Sequence, residues 1–509
     1  MEITVSRQLF AVFGRLLNFS AGWVRYVNFF CLFLMKGFLS ILAVSNVFQK
    51  AGFFPGAHGV PDLSRLEDDG DSRNIDLPYS KVNHLKVTTH QQYAWEKFIL
   101  SGDIGYQNNH REEWSAFHTH YGTQPLPETD PDKELAFNLN TFSFSAKGRW
   151  IGFSSWEHRM GWDSQFQRNT ISGYSFLLPE YDRFTTGISW LTTYRPDNTL
   201  SVSGGVRYDY GRMRVFAHDD PYLATYLQEQ GYDEEQVEFY RWNSRRVNRS
   251  FGDYSLSLGV VWTPSMRHQL KVNVGRSFRL PGANELASNG VHHGTFRHEQ
   301  GDATLSSEQG WQMDASYQLK YGRWSVYVSP FVNWFSNYIF LRPTGEWSVL
   351  PHTGQIYRYT QTEALFAGAE ASVELTVLPT LNYRISGEYV YTYNCDERIP
   401  LSFSPPATLR NTLTWQRKRY MLYAEWQSIA KQNRVDRNED RTPGANLFHI
   451  AGSLDLPVAG TEVEITLTVR NLFNTRYYNH LSFYRKVEIP EPGRNFQLLI
   501  KVPFKKLFK

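Results

Sequence analysis

The chain has 509 residues, with 53 Lys and Arg against 50 Asp and Glu and a formal charge of +3. That balance excludes a nucleic-acid binder built on a broad basic face, and two cysteines, Cys31 and Cys395, exclude a disulfide scaffold or a four-thiolate zinc site. A hydrophobic share of 41% excludes disorder, while a mean hydropathy of −0.46 is too polar for a helical membrane protein, which needs runs of about 20 apolar residues. The remaining oddity is an aromatic share of 16%, more than a soluble core needs given the polar tips of Tyr and Trp. A transmembrane β-barrel and a carbohydrate-handling β-protein both fit at this point.

In chain order, residues 1–36 read poorly. Phe29–Met35 is an apolar run with Arg7, Arg15 and Arg25 upstream, and Phe38–Val44 resumes it after Lys36. Degraded strands, a signal-like segment and a membrane helix all remain open for 1–36. From 37 to 509 the pattern is all-β. Leu200, Val202, Gly204, Val206 and Tyr208 alternate with Ser201, Ser203, Gly205, Arg207 and Asp209. Tyr254, Leu256, Leu258, Val260 and Trp262 form one face, as do Leu381, Tyr383, Ile385, Gly387, Tyr389, Tyr391 and Tyr393. Val463, Ile465, Leu467 and Val469 alternate with Glu462, Glu464, Thr466 and Thr468. Period two marks half-buried strands.

The links decide between the two classes. Short ones are expected at Trp95–Glu96, Gly148–Arg149, Pro196–Asn198, Pro264–Met266, Gly322, Pro379, Lys418 and Pro457–Gly460. Long ones fall at roughly 51–78, 114–132, 168–182, 215–248, 280–305, 341–355, 396–404, 433–445 and 475–493. This alternation predicts a transmembrane antiparallel β-barrel of about 18–22 strands, with long extracellular loops and short periplasmic turns, in an outer membrane. A propeller would show blade repeats, and none is seen.

Near the C-terminus, Val469-Arg470-Asn471-Leu472-Phe473-Asn474-Thr475-Arg476-Tyr477-Tyr478 is followed by Pro492-Gly493-Arg494-Asn495-Phe496. This pair resembles the closing signature of TonB-dependent outer-membrane receptors. A second stretch, Ser277-Phe278-Arg279-Leu280-Pro281, then Asn284-Glu285-Leu286, Gly290-Val291-His292-His293-Gly294 and on through Glu299 to Leu305 and Glu308, is similar to that family's long substrate-facing loop. Haem receptors carry Phe-Arg-Ala-Pro and Asn-Pro-Asn-Leu boxes there; here Leu280 replaces the Ala, and Gly301-Asp302-Ala303-Thr304-Leu305 keeps only the final Leu. A third stretch, Gln49 to Gly59, resembles an earlier loop of metal-complex receptors.

The resemblance implies an importer of iron complexes, haem or other metal chelates. Family members carry a plug domain and a box that engages TonB. Barrel-like sequence from about residue 37 leaves no room for either, so a truncated chain is expected, with TonB a partner only if a plug is supplied. A plugless passive pore or a non-functional remnant is the alternative. Outer-membrane lipid and lipopolysaccharide are further expected partners; Arg241, Arg245, Arg246 and Arg249 crowd one loop end, where they suit an anionic chelate or a lipopolysaccharide phosphate, against the plainer reading of a charged rim.

No Gly-x-Ser-x-Gly, His-Glu-x-x-His, Walker loop or dinucleotide fingerprint is present, so no enzyme and no resident cofactor are expected. Histidine is the best site signal. Loop positions include His58, His118, His120, His218, His292, His293, His298, His352 and His480. His118 and His120, spaced i and i+2, point to one side of an extended segment. His292 and His293 lie near Glu299 in the loop that resembles the substrate loop, and imidazole with carboxylate suits zinc, iron or haem iron. The candidate substrate contacts are therefore His58, His118, His120, Arg279, Glu285, His292, His293 and Glu299, with His292 and His293 as metal ligands. Against this stands the plainer reading that exposed loops accumulate polar residues.

Overall fold

The computed structural model describes residues 77–503 apart from 118–123, 154, 293–296, 351–352 and 459–460, together with three short strands before them, Asn18–Phe19, Phe33–Met35 and Phe38–Ala43. One sheet of 22 strands dominates. Two of those strands, Asn289–His292 and Arg297–Gln300, form a hairpin within a loop, so twenty belong to the wall, inside the expected range. From Tyr79–Ala94 onward each wall strand runs antiparallel to the next wall strand in sequence. The last, Asn495–Pro503, pairs with Thr461–Arg470 on one edge and with Phe38–Ala43 on the other. Asn18–Phe19 pairs with Tyr79–Ala94, so both ends of the wall continue into the first 43 residues.

Period-two alternation sets the two faces. Val206 lies opposite Trp190 and Leu256, and Tyr208 opposite Ile188 and Tyr254, and these side chains are all exposed on the outer face. Ile188 at 63% and Leu258 at 56% are far too open for apolar side chains in water, but suit hydrocarbon. The intervening Arg207 and Asp209 turn into the lumen, where Arg207 bonds Asp209 (2.6 and 2.7 Å) and Asp163 (2.9 Å). Among the described residues no helix is long and apolar enough to cross a membrane.

The aromatic excess now has a location. Tyr106, Phe142, Phe166 and Phe184 share one register row across four strands, well up the wall from the short turns. Trp95, Phe98, Trp150, Trp156 and Tyr194 gather at the opposite rim, with Phe98 opposite Trp150 and Trp156 opposite Tyr194. Two aromatic belts bounding an apolar band are the interfacial anchors of a membrane barrel.

The short turns lie where expected except one. Strand Lys133–Phe153 runs straight through Gly148 and Arg149, which pair with Met160 and Arg159, and the chain reverses at Ser155 instead. Gly148 serves packing there: a Cβ would stand 3.1 Å from the Phe98 ring. The long links hold more structure than a loop reading implied. Between Leu200–Val215 and Val247–Ser265 lie two helices, Pro221–Glu229 and Glu234–Tyr240, started by Asp220 and by an Asp233/Gln236 capping box.

Candidate functional site

The long-loop rim is where side chains from different wall strands converge. Strand His268–Arg279 ends at Arg279, whose guanidinium grips Glu285 (2.7 and 2.9 Å) and Glu308 (3.2 and 3.5 Å). Glu285 also accepts the Gly282 N–H at 2.7 Å, starting the short helix Ala283–Ala287, and Glu308 accepts the Ile339 N–H at 2.9 Å. Leu286, Ala287 and Leu305 bury this turn against Met213, Val215 and Phe251 of the wall. Two of the expected contacts, Arg279 and Glu285, are thus brought together, as a strut at the base of the loop.

From that base rises the hairpin Asn289–His292 and Arg297–Gln300. Its second strand lies parallel to the upper end of strand Gln355–Leu378, with His298 opposite Ile356 and Gln300 opposite Arg358. Glu299 is buried, bonded by Arg297 (2.5 Å) and by the Tyr359 hydroxyl (3.1 Å), which in turn accepts from Asn284 (2.9 Å). His298 is fully buried: Nδ1 meets the Ser348 hydroxyl and Nε2 the Asn289 Oδ1, each at 2.8 Å. Burial holds its pKa far down, at about 3, so the ring is neutral. The His292 backbone pairs with Arg297 at the hairpin tip. His58, His118, His120 and His293, and the Gln49–Gly59 stretch, lie outside the described residues.

A second convergence joins the later loops. Glu439, buried, accepts from Arg485 (2.9 Å), the Phe403 N–H (2.9 Å) and the Asp436 N–H (3.2 Å), with His480 Nε2 at 3.3 Å. Burial alone would raise the Glu439 pKa, but the bonds from His480 and the two N–H groups hold it below the ordinary carboxylate value. Arg342 joins Glu397 and Asp436 (3.0 Å each), and Lys486 reaches Gln355 (2.8 Å), its pKa lowered by burial. Four loops are welded this way. Nothing in the spacing of these residues marks them, because most of the bonds join loops far apart in sequence.

The closing Asn-Leu-Phe-Asn and Pro-Gly-Arg stretches meet in a clasp. Asn471 and Asn474 both adopt left-handed backbone (φ 49 and 56), which asparagine tolerates better than most residues. Asn471 bonds the Thr475 backbone twice (2.8 Å each), and Asn474 Oδ1 accepts the Arg494 N–H at 2.9 Å. Gly493 fits because a Cβ would stand 2.4 Å from that same oxygen. Beneath the clasp, two adjoining lumen-side cavities of about 450 and 470 Å³ share Gln427, Tyr477 and Glu491. Glu388, Glu425, His449 and Arg470 add mixed charge to their walls. The Asn471 N–H occupies His449 Nδ1 (3.1 Å). Such a lining holds a polar or charged solute through hydrogen bonds. Among the described residues no group of three or more His, Cys, Asp or Glu side chains could hold a metal ion.

Residues 41–472 match the family model described as TonB dependent receptor-like, beta-barrel. Among solved structures, the copper transporter OprC is similar at a TM-score of 0.64 and 16% identity, covering 84% of this chain and 66% of that one. The FrpB iron transporter from Neisseria meningitidis (F3-3 variant) aligns at 0.58 and 14% identity, with coverage of 83% and 63%. The Serratia marcescens hemophore receptor HasR, solved as a double mutant with its hemophore HasA and heme, aligns at 0.57 and 16%, with coverage of 84% and 66%. The chain therefore spans slightly less than two thirds of the length of these proteins.

Proposed function

The chain belongs to the TonB-dependent receptor β-barrel family, and on that premise we propose that it forms the barrel of an outer-membrane importer whose cargo is a metal complex: a ferric or cupric chelate, or haem. The observation that carries this reading is the asymmetry of the barrel's two rims. One has tight turns, and the other has loops bonded into a cover above polar lumen-side cavities. Passage of a bulky, charged chelate needs such a wide polar lumen and a loop-lined mouth. The similar solved structures carry copper, iron or haem, which supports the cargo class.

In this reading His292 and His293, of the stretch similar to the family's substrate loop, contact the cargo, with His58, His118 and His120 as further donors, while Arg279, Glu285 and Glu299 brace the base of that stretch. The membrane is a Gram-negative outer membrane, with lipopolysaccharide around the upper aromatic belt. Coupling to TonB belongs to a form that carries a plug. Titration of the purified protein in detergent with haem, zinc, cupric and ferric chelates tests the proposal. Saturable binding of one class, weakened at least fivefold by His292→Ala with His293→Ala, is expected. Saturable binding of none by protein that migrates as a folded barrel would overturn it.

A further inference from the structure

The outer face between strands Phe98–Trp114 and Leu200–Val215 is unevenly filled. Leu100, Gly148, Met160, Trp190 and Val206 lie opposite one another in one register row. Ala146, Trp162, Ile188 and Tyr208 lie in the next, one step further from the short turns. On strand Lys133–Phe153 both rows shrink, to a hydrogen at Gly148 and a methyl group at Ala146. Phe98 and Leu100 stand on one side of this gap, Met160 and Trp162 on the other. The result is an open groove of about 670 Å³ whose walls are mainly apolar. Its size falls within the range of about 300–1,000 Å³ usual for small-molecule sites.

The groove is polar at one end only. One row nearer the short turns, Trp150 lies opposite His158. The His158 ring stacks between the indoles of Trp150 and Trp156, at centroid distances of 5.2 and 6.1 Å. With the Thr192 hydroxyl donating to Nδ1 at 3.0 Å, Nε2 carries the ring proton. Among the described residues nothing accepts that proton or the indole N–H groups of Trp150 and Trp156. All three donors belong to the aromatic belt at the short-turn rim, where a bilayer places its headgroups. An N–H beside hydrocarbon without an acceptor is costly, so an acceptor carried by a lipid is favoured there over bare hydrocarbon. An apolar groove rising from a cluster of donors fits an amphiphile whose chain and ester oxygens are separated in the same way.

We propose that this groove seats one acyl chain of a phospholipid, with the ester and phosphate oxygens of that lipid accepting from Trp150, Trp156 and His158. Short turns face the periplasm in such barrels, so the leaflet concerned is the one made of phospholipid rather than lipopolysaccharide. The seated lipid stays in place while the rest of the surrounding lipid exchanges freely. The inference rests on the outer face lying in a membrane and not on the cargo. Its test uses no metal complex, so a failure here leaves import a separate question.

The test is photo-cross-linking of the full-length protein, folded into vesicles of phosphatidylethanolamine, a small fraction of which carries a diazirine in one acyl chain. Cross-linked positions are mapped by peptide mass spectrometry. Met160 in the groove and Leu422 on strand Tyr420–Ile429 are equally open, at 58% and 56%. Lipid that merely surrounds the barrel therefore labels both alike. A seated chain predicts cross-linking around Leu100, Met160 and Trp162 about fivefold or more above that around Leu422. Ala146→Leu fills the floor of the groove and should bring that labelling down to the Leu422 level, with heat-modifiable migration unchanged. His158→Phe keeps a ring between the two indoles but removes the donor, and should lower groove labelling about twofold. Should Ala146→Leu fail to fold, the comparison of Met160 with Leu422 in the wild-type protein decides. Equal labelling at those two sites, or groove labelling unaltered in folded Ala146→Leu, would overturn the proposal. A dimer contact that shields Met160 from lipid would overturn it as well.

Discussion

The clasp between Asn474 and Gly493 makes a prediction whose magnitude follows from one atom. Asn474→Gly keeps the left-handed backbone (φ 56) available but deletes the oxygen that accepts the Arg494 N–H at 2.9 Å. Loss of one such bond near solvent costs about 1 kcal/mol. Gly493→Ala places a Cβ 2.4 Å from that oxygen and 3.5 Å from the carbon bearing it, a clash with essentially one atom. Forcing the oxygen aside strains the loop and breaks the same bond, at about 2 kcal/mol. In the double variant the oxygen is gone and the new methyl group fits. The two effects should therefore fall short of their sum by about 1–2 kcal/mol. Equilibrium urea unfolding in detergent micelles, followed through the 15 tryptophans, measures all four proteins. Additivity within about 0.5 kcal/mol would refute the idea that Gly493 is there to leave room for the Asn474 oxygen.

Gly173→Ala, at φ 116 with a Cβ 2.3 Å from the Glu134 carbonyl oxygen, should destabilise by about 2 kcal/mol or more, read in the same urea assay. Ile188→Lys, on the outer face, should cost about 2–4 kcal/mol and lower the amount of folded barrel recovered from outer membranes, whereas Gln165→Lys, in the lumen wall, should leave it nearly unchanged. His298 has its folded pKa depressed to about 3 by burial, so it contributes stability above the unfolded value near 6.5 and loses it as pH falls toward 3. Protease nicking of the mouth loops should accordingly rise between pH 6.5 and 4. His298→Gln, which cannot ionise, should flatten that rise.

The wall was legible because its signals are local. Alternation along Leu200–Tyr208 or Val463–Val469 needs only neighbouring residues, and short and long links are read off in order. Gly148–Arg149 misled because a glycine packed under the Phe98 ring looks, in sequence, like a glycine in a turn. The two loop helices carry their capping signals at Asp220 and Asp233, single polar residues that stand out little in a polar loop. Histidines were harder to place. His298 and His480 count in sequence only as histidines of the long loops, but in the fold they are buried against Ser348, Asn289, Thr442 and Glu439. Whether a loop histidine faces cargo or pins a neighbour depends on contacts between strands far apart in sequence. The Glu439 hub was invisible for the same reason.

Whole-cell accumulation reports import of a metal complex through this barrel. Radioactive iron or copper would be supplied as each of several chelates, or as haem, to cells with and without the gene. Deletion should abolish accumulation from one chelate class while leaving the others intact, and His292→Ala with His293→Ala should reproduce the defect although the folded barrel is still in the outer membrane. Identical accumulation from every chelate in cells with and without the gene, with the barrel demonstrably present in the parent, would contradict it.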